Sequence, residues 1–422
     1  MLRRLPPLPF HYAFVVLTLT FLALLAAAGL RSAPSVLIMP LQLAFGWDRT
    51  TVSTGAGLGI LIYGLIGPFA AALMQSFGIK RVLLWGLVLM AGSTFASLFM
   101  TEAWQYFLTW GLVSGIGSGA VTGVLAAAVV NRWFARRQGL MMGLLTGSAA
   151  TGSLIFLPFL AHLSQMGDWR PVVWTVTLAL AALIPIIFLF MPEHPQDRAL
   201  GRYGEAAGAP VAPTPGGLGA LRALTVLSKA AKTPTFWVLF GAFFVCGFTT
   251  NGLVGTHLIS YCGDHGIAPV QAAGLLSLMG LFDLVGTTAS GWLTDRYNPR
   301  RLLFIYFGLR GLSLIALPFI GFETASLTAF AIFYGLDWIA TVPPIVRMTN
   351  DRFGEGDGPI VFGWIFAGHQ VGAAGAAIGA GVVRQVSGDY GVAFMLSGAT
   401  AVVVALVLIV WRGDRVRMEP AT

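Results

Sequence analysis

Apolar runs of bilayer length recur from one end of this chain to the other, and they constrain its fold more than any other feature. A helix needs about 20 mainly apolar residues to cross a hydrocarbon core. Twelve runs of that kind lie near 12–40, 51–76, 80–101, 104–130, 139–164, 170–191, 234–262, 269–294, 301–321, 324–347, 359–384 and 389–411. Their length points to helices rather than to the short alternating segments of a barrel. Composition agrees: 56% of the 422 residues are hydrophobic and 10% are charged, against about 25% charged in a soluble domain. The N-terminal "MLRRLPPLPFHYAFVVLTLTFLALLAAAGL" starts like a signal peptide, but its apolar part exceeds the 7–15 residues of an h-region. It is read as a mature first span. The expected fold is an all-α polytopic membrane protein with 12 transmembrane helices in two pseudo-symmetric six-helix bundles.

One long interruption, 193–233, divides the spans into halves at 1–192 and 234–422. It holds the Pro/Gly stretch "APVAPTPGG" (209–217) and then "LGALRALTVLSKAAK" (218–232), which reads as a short amphipathic helix. Net charge is +8 and the pI is about 9.9, yet the placement of the charges excludes nucleic acid as their reason. With the N-terminus in the cytoplasm, 20 of the 25 Lys and Arg fall on the cytoplasmic side, among them Lys80, Arg81, Arg132, Arg136, Arg137, Arg222, Arg347 and Arg352. Arg49, Arg170 and Arg384 fall outside, and Arg31 and Arg310 lie within spans. This asymmetry places both termini in the cytoplasm, in a cell membrane read as a bacterial inner membrane. Cys246 and Cys262 match no metal spacing and no disulfide framework. No cofactor or metal is expected.

The halves repeat at an offset of 220 residues: Gly46 matches Gly266, Lys80 matches Arg300, Arg81 matches Arg301, Gly115 matches Gly335, Arg132 matches Arg352, Gly143 matches Gly363 and Gly152 matches Gly372. One gap-free offset of this kind indicates a parallel repeat of two six-helix units. "SGWLTDRYNPRR" (290–301) resembles the Gly-x-x-x-Asp-Arg-x-Gly-Arg-Arg loop signature of the major facilitator superfamily, with Asn298 for the second Gly and Pro299 inserted. Its first-half partner "AALMQSFGIKR" (71–81) keeps Gly78, Lys80 and Arg81, with Ala71 for the first Gly and Gln75 for the acid. "LQLAFGWDRTTVS", "VVNRWFARRQGLMMGLLTGSAATG" and "PEHPQDRALGRYGE" resemble the monocarboxylate-transporter and oxalate/formate-antiporter branch. The superfamily resemblance covers the whole chain and implies a carrier working by alternating access. The branch resemblance rests on the shorter stretches.

An ionisable side chain at the bilayer centre costs about 2.5–3.5 kcal/mol or more and asks for a reason. Arg310 and Asp337 lie midway along the ninth and tenth spans, where an ion pair would neutralise both; they are read as a structural pair. Asp283 sits in "MGLFDLVGTTASG" with no cation within a helical turn. Desolvation disfavours a charged carboxyl, so Asp283 reads equally as a proton carrier or as the partner of a base on another helix. In the monocarboxylate branch the matching helix carries an acid followed four residues later by an arginine; this chain has Thr287 there. His369, between Gly368 and Gly372 and beside Gln370, has room around its ring. The resemblance implies an anion-binding role for that position. Arg31 lies in the outer half of the first span and pairs by the repeat with Asn251. An arginine there can hold a carboxylate bidentately. Substrate contact is therefore expected from Arg31, Asn251, His369 and Gln370, and an outer-gate role from His257.

Asp295 lies roughly 18 Å along the helix from Asp283. An acid at a helix C-terminus opposes its own dipole and should seek an outside partner. The resemblance implies a gate latch, here one-sided because the first-half copy has Gln75. It is expected on Asp295, Arg296, Arg300 and Arg301. The glycines of "GLVSGIGSGAVTG" (111–123) are read as close helix packing rather than a phosphate loop. No Ser/His/Asp, Cys/His or metal arrangement supports an enzyme. The expected function is secondary active transport of a small organic anion, a carboxylate, by symport with protons or by antiport, by a monomer in the lipid bilayer. The alternatives are an exporter of drug-like amphipathic compounds, or a non-transporting receptor or assembly partner.

Overall fold

In hydrocarbon a backbone must satisfy its own polar groups, which favours helices. Among the described residues the chain is helical, with one isolated bridge, Phe134 to Tyr203, and no strand. The computed structural model describes residues 10–47, 49–164, 168–205 and 219–411. Arg3, Arg4, Arg412, Arg415, Arg417 and the stretch 209–217 lie outside them.

The first half comprises α1 (Ala13–Phe45), α2 (Arg49–Phe77), α3 (Ile79–Ser97), a composite fourth span, α7 (Gln138–Ser164) and α8 (Arg170–Phe190). The fourth span joins α4 (Ala103–Tyr106), a π-helical segment Phe107–Val113, α5 (Ser114–Ala120) and α6 (Gly123–Trp133). After the connecting α9 (Leu221–Ala230), the seventh span joins α10 (Pro234–Gly247), a π-helical segment Phe248–Val254 and α11 (Gly255–Asp264). Then come α12 (Pro269–Thr294), α13 (Pro299–Ala316), α14 (Thr324–Asp337), α15 (Val342–Ser387) and α16 (Gly391–Val410). Among the described residues, eleven helical stretches are long and apolar enough to cross a membrane, and the 27-residue α7 occupies the fifth place in the order. The 46-residue α15 is two helices joined at Gly354, whose φ of 77° is left-handed; glycine takes that conformation without a Cβ penalty. The tenth span is thus α14 plus the start of α15, and the eleventh is the rest of α15.

Small residues let the halves approach backbone to backbone, as membrane helices without a hydrophobic driving force require. A Cβ on Gly139 would strike Gly291 O, one on Gly143 would strike Thr287 O, and one on Gly363 would strike Pro68. Two seams result, α7 against α12 and α2 against the second part of α15.

Hydrogen bonds join the halves at the end where the basic loops gather. Asn131 and Asn350 exchange amide bonds of 3.2 and 2.8 Å. Gln75 Nε2 donates to Gly356 O. Glu193 ties that end of the first half together, accepting from Ile79 N at 2.6 Å and Lys80 N at 2.9 Å and pairing with Arg132. α9 is held there too: Arg222 Nη2 lies 2.7 Å from Asp357 Oδ1, and Trp364 Nε1 donates to Ala223 O at 3.0 Å.

Candidate functional site

The tenth span is interrupted inside the membrane. Pro343 and Pro344 have no N–H, so a continuous helix would leave the carbonyls of Ile339 and Ala340 without donors. The chain instead ends α14 at Asp337, turns through 338–341 and restarts at Val342. Ile339 O accepts from Val342 N at 3.0 Å. The other freed groups are met by side chains of neighbouring helices. Ser290 Oγ donates to Ala340 O at 2.5 Å. Ile339 N donates to Asp283 Oδ1 at 2.9 Å. Arg310 Nη2 donates to Asp337 O, and to Trp338 O at 3.1 Å. The signs follow the helix dipole: a cation at the C-terminal end of α14 and a carboxyl at an N–H leading into α15.

Arg310 is fully buried. Its Nε lies 2.6 Å from Asp337 Oδ2, and its Nη1 donates to Cys246 Sγ at 3.1 Å. This is not a two-pronged clamp, since Asp337 Oδ1 is buried with no partner. Asp283 also accepts from Thr287 Oγ1 at 2.7 Å. The position where the related branch has arginine thus supplies a hydroxyl donor, and the nearby cation comes from α13. One guanidinium therefore stands among two buried carboxyls.

A second set of side chains links the halves at mid-membrane. The Arg31 guanidinium carbon lies 4.9 Å from the centroid of the Tyr63 ring, and its Nη1 is buried without a hydrogen-bond partner. Tyr63 meets Phe366 edge-on at 5.6 Å across the seam. Phe366 stacks on His369 at 5.8 Å and 3°. The His369 ring also lies 4.9 Å from Phe243, and its Nδ1 is buried with no partner. Gln370 packs against Gly64, the neighbour of Tyr63. Arg31, His369 and Gln370 are thereby brought into one cluster through two aromatic rings. Asn251 lies apart from these contacts, exposed in the π-helical part of the seventh span, where its carbonyl accepts from Thr256 Oγ1 at 2.8 Å.

His257 bonds within its own half, to Ala377 O at 2.9 Å and to the Tyr390 hydroxyl at 3.3 Å. Asp295 crosses to the other half and caps α7, accepting from Gly139 N at 2.8 Å and Leu140 N at 2.9 Å. The expected latch therefore differs in composition. Its partners are backbone amides rather than basic loops, because the start of α7 presents unpaired N–H groups to the carboxylate. Arg296 folds back on its own helix, with Nη1 on Trp292 O at 3.2 Å and its guanidinium over the Trp292 ring. Arg300 donates to Trp411 O in its own half, and Arg301 is exposed.

The reading from sequence missed Tyr63, Phe366, Ser290 and the interruption itself. Tyr63 stands at the first-half position matching Asp283 under the 220-residue offset, which was the available signal for it. The paired prolines were the signal for the interruption.

A two-seam bundle of twelve spans, with polar groups collected at its centre, defines a membrane transporter rather than an enzyme. The family model described as Major Facilitator Superfamily matches residues 19–374, and the chain belongs to that superfamily. It is 23% identical over 383 residues to the uncharacterized MFS-type transporter YcxA of Bacillus subtilis (strain 168), covering 89% of each chain. It is 28% identical over 388 residues to monocarboxylate transporter 13 of Rattus norvegicus, covering 91% of this chain and 85% of that one. Among solved structures, the proton:xylose symporter XylE superposes with a TM-score of 0.72 at 14% identity, covering 95% of this chain and 96% of that one. The human organic anion transporter MFSD10 superposes with a TM-score of 0.65 at 16% identity, covering 96% and 100%. These two likenesses show the fold.

Proposed function

We propose that the chain carries a small organic anion, recognised by its carboxylate, through rocking of the 1–192 and 234–422 halves about the central cluster, with protons or a counter-anion as the drive. The observation that carries this reading is the Arg31 nitrogen, buried without a partner beside Tyr63. A buried donor on a cation left unpaired is costly unless a ligand completes it, and a carboxylate is the natural complement. The name of the relatives in sequence supports the same class: monocarboxylate transporters. A cationic drug-like cargo fits less well, because Asp283 and Asp337 are engaged by Ile339, Thr287 and Arg310. The positive-inside rule puts the basic end in the cytoplasm.

Purified protein in proteoliposomes tests this reading. Uptake of a carboxylate under an imposed pH or exchange gradient is expected. Arg31→Gln should lower it by about 100-fold, as expected when a charge-assisted contact to a buried group is lost. Ready movement of a neutral or cationic solute, with no carboxylate moved under any gradient, would sink the proposal.

A further inference from the structure

We infer that Asp283, Ser290 and Arg310 are positioning residues that hold the tenth span closed at 338–341, and that proton uptake by Asp283 loosens this interruption so that the two parts of the span move separately. The inference extends the proton-linked reading of transport by giving the proton a mechanical effect.

The two sides of the interruption are tied to different neighbours. The α14 side is fixed to the second half. A Cβ on Gly286 would strike Leu336 O, one on Gly335 would strike Met279, and Tyr334 donates to Thr249 O at 2.9 Å. The α15 side runs to the basic end, where Asn350 exchanges bonds with Asn131 of the first half. Whatever holds 338–341 therefore couples a segment docked on one half to a segment bonded to the other.

Charge decides how firmly it is held. The charged groups that act on Asp283 from neighbouring helices are Arg310 of α13 and Asp337 of α14; on its own helix Thr287 donates to it. Cys246 of α10 lies behind Arg310, with Thr341 and His369 of the α15 side beyond the thiol. With Asp283 ionised, two carboxylates face one guanidinium, and Asp283 binds Ile339 N–H as a charged acceptor. Such bonds are roughly twice as strong as neutral ones. One proton added to the Asp283 carboxylate leaves Arg310 and Asp337 as a neutral pair and weakens the grip on Ile339 N–H. No other bond forms or breaks. Ser290 still holds Ala340 O, so the interruption loosens without unravelling.

Hydrogen exchange read by mass spectrometry on the full chain in lipid nanodiscs, without substrate, tests this. After correction for intrinsic rates, amides at 338–342 should exchange about tenfold or more faster at low pH than at high pH, while α8 shows no such step. Asp283→Asn should exchange fast at both pH values. Ser290→Ala, which leaves the titrating group in place, should exchange faster throughout yet keep the step; it serves as the second variant if Asp283→Asn fails to fold. A wild-type segment with no step, or a step that survives in Asp283→Asn, overturns the inference. Because no substrate is present, a failed carboxylate assay would leave this result standing, and the reverse also holds.

Discussion

The fourth and tenth spans are interrupted at matching places and are held in opposite ways. The turn at 338–341 corresponds to 118–121 under the repeat offset, and the fourth span breaks at Val121 and Thr122. There the repair is local. Thr122 Oγ1 accepts from Val124 N at 3.1 Å, and Val121 N donates to Ser118 O at 2.9 Å. The tenth span instead borrows Asp283, Ser290 and Arg310 from two other helices. A locally capped break is complete as soon as its own helix forms. A break closed by side chains from elsewhere is only as firm as its neighbours' charge and position. The seams repeat the contrast. Asp295 offers a full charge to the start of α7, while Gln75 at the matching place donates to Gly356 O. The position matching Gly139 is Pro359, which has no N–H to give an acid.

The strongest way to break this contrast is Arg310→Met, which installs the residue found at the matching first-half position, Met90. It strands the buried Asp337 carboxyl and the Asp337 and Trp338 carbonyls. A loss of about 3–5 kcal/mol is expected, measured by unfolding of the purified protein in detergent. Next in size is the seam pair. Asp295→Asn should weaken closure of the basic end by about 1–2 kcal/mol, read from thiol labelling of single cysteines placed along that seam. Gln75→Glu sharpens the comparison. Rather than adding a second latch, it should open the α2 seam, since an acid there meets Gly356 O and no amide of Pro359. Thr122→Ala should cost about 1 kcal/mol, the usual value of a lost local cap, and should leave pH dependence untouched. Smallest is a pH effect outside the membrane. Hydrogen bonds from Arg202 hold Glu205 below the usual carboxylate range. With its folded value lower than its unfolded one, this clasp contributes above the ordinary glutamate range and is lost as pH falls through the folded value. Hydrogen exchange at the Arg202 amide, which donates to Glu205 Oε2, should accelerate over that window once corrected for its intrinsic rate.

The spans, the repeat and the Arg310–Asp337 juxtaposition were legible because hydropathy and charge position are written one residue at a time. The role of Asp283 was not. In sequence it is an acid without a cation on its helix, and one of its two hydrogen-bond donors is the backbone N–H of Ile339, at a break in another span. Apolar windows hide such breaks, because Trp338, Ile339, Ala340 and Val342 are as greasy as helical neighbours would be. That Asp295 would seek a partner outside its helix was legible; the direction of Arg296 was not, because a flexible side chain beside Trp292 has a closer surface to cover. The Arg31 cluster was half legible. Arg31 and His369 announce themselves, whereas Tyr63 and Phe366 look like two more aromatics in a chain with 30 phenylalanines.

The glycine contacts between α7 and α12 carry a kinetic consequence. Where Gly139 and Gly143 lie against Gly291 and the Thr287 backbone, few side chains interlock, so parting the surfaces requires little rotamer exchange and closing them freezes few rotors. Such a surface behaves as a bearing. In the proposed rocking it would add little friction of its own, and the dwell time of each state would be left to the short polar bonds at its rim.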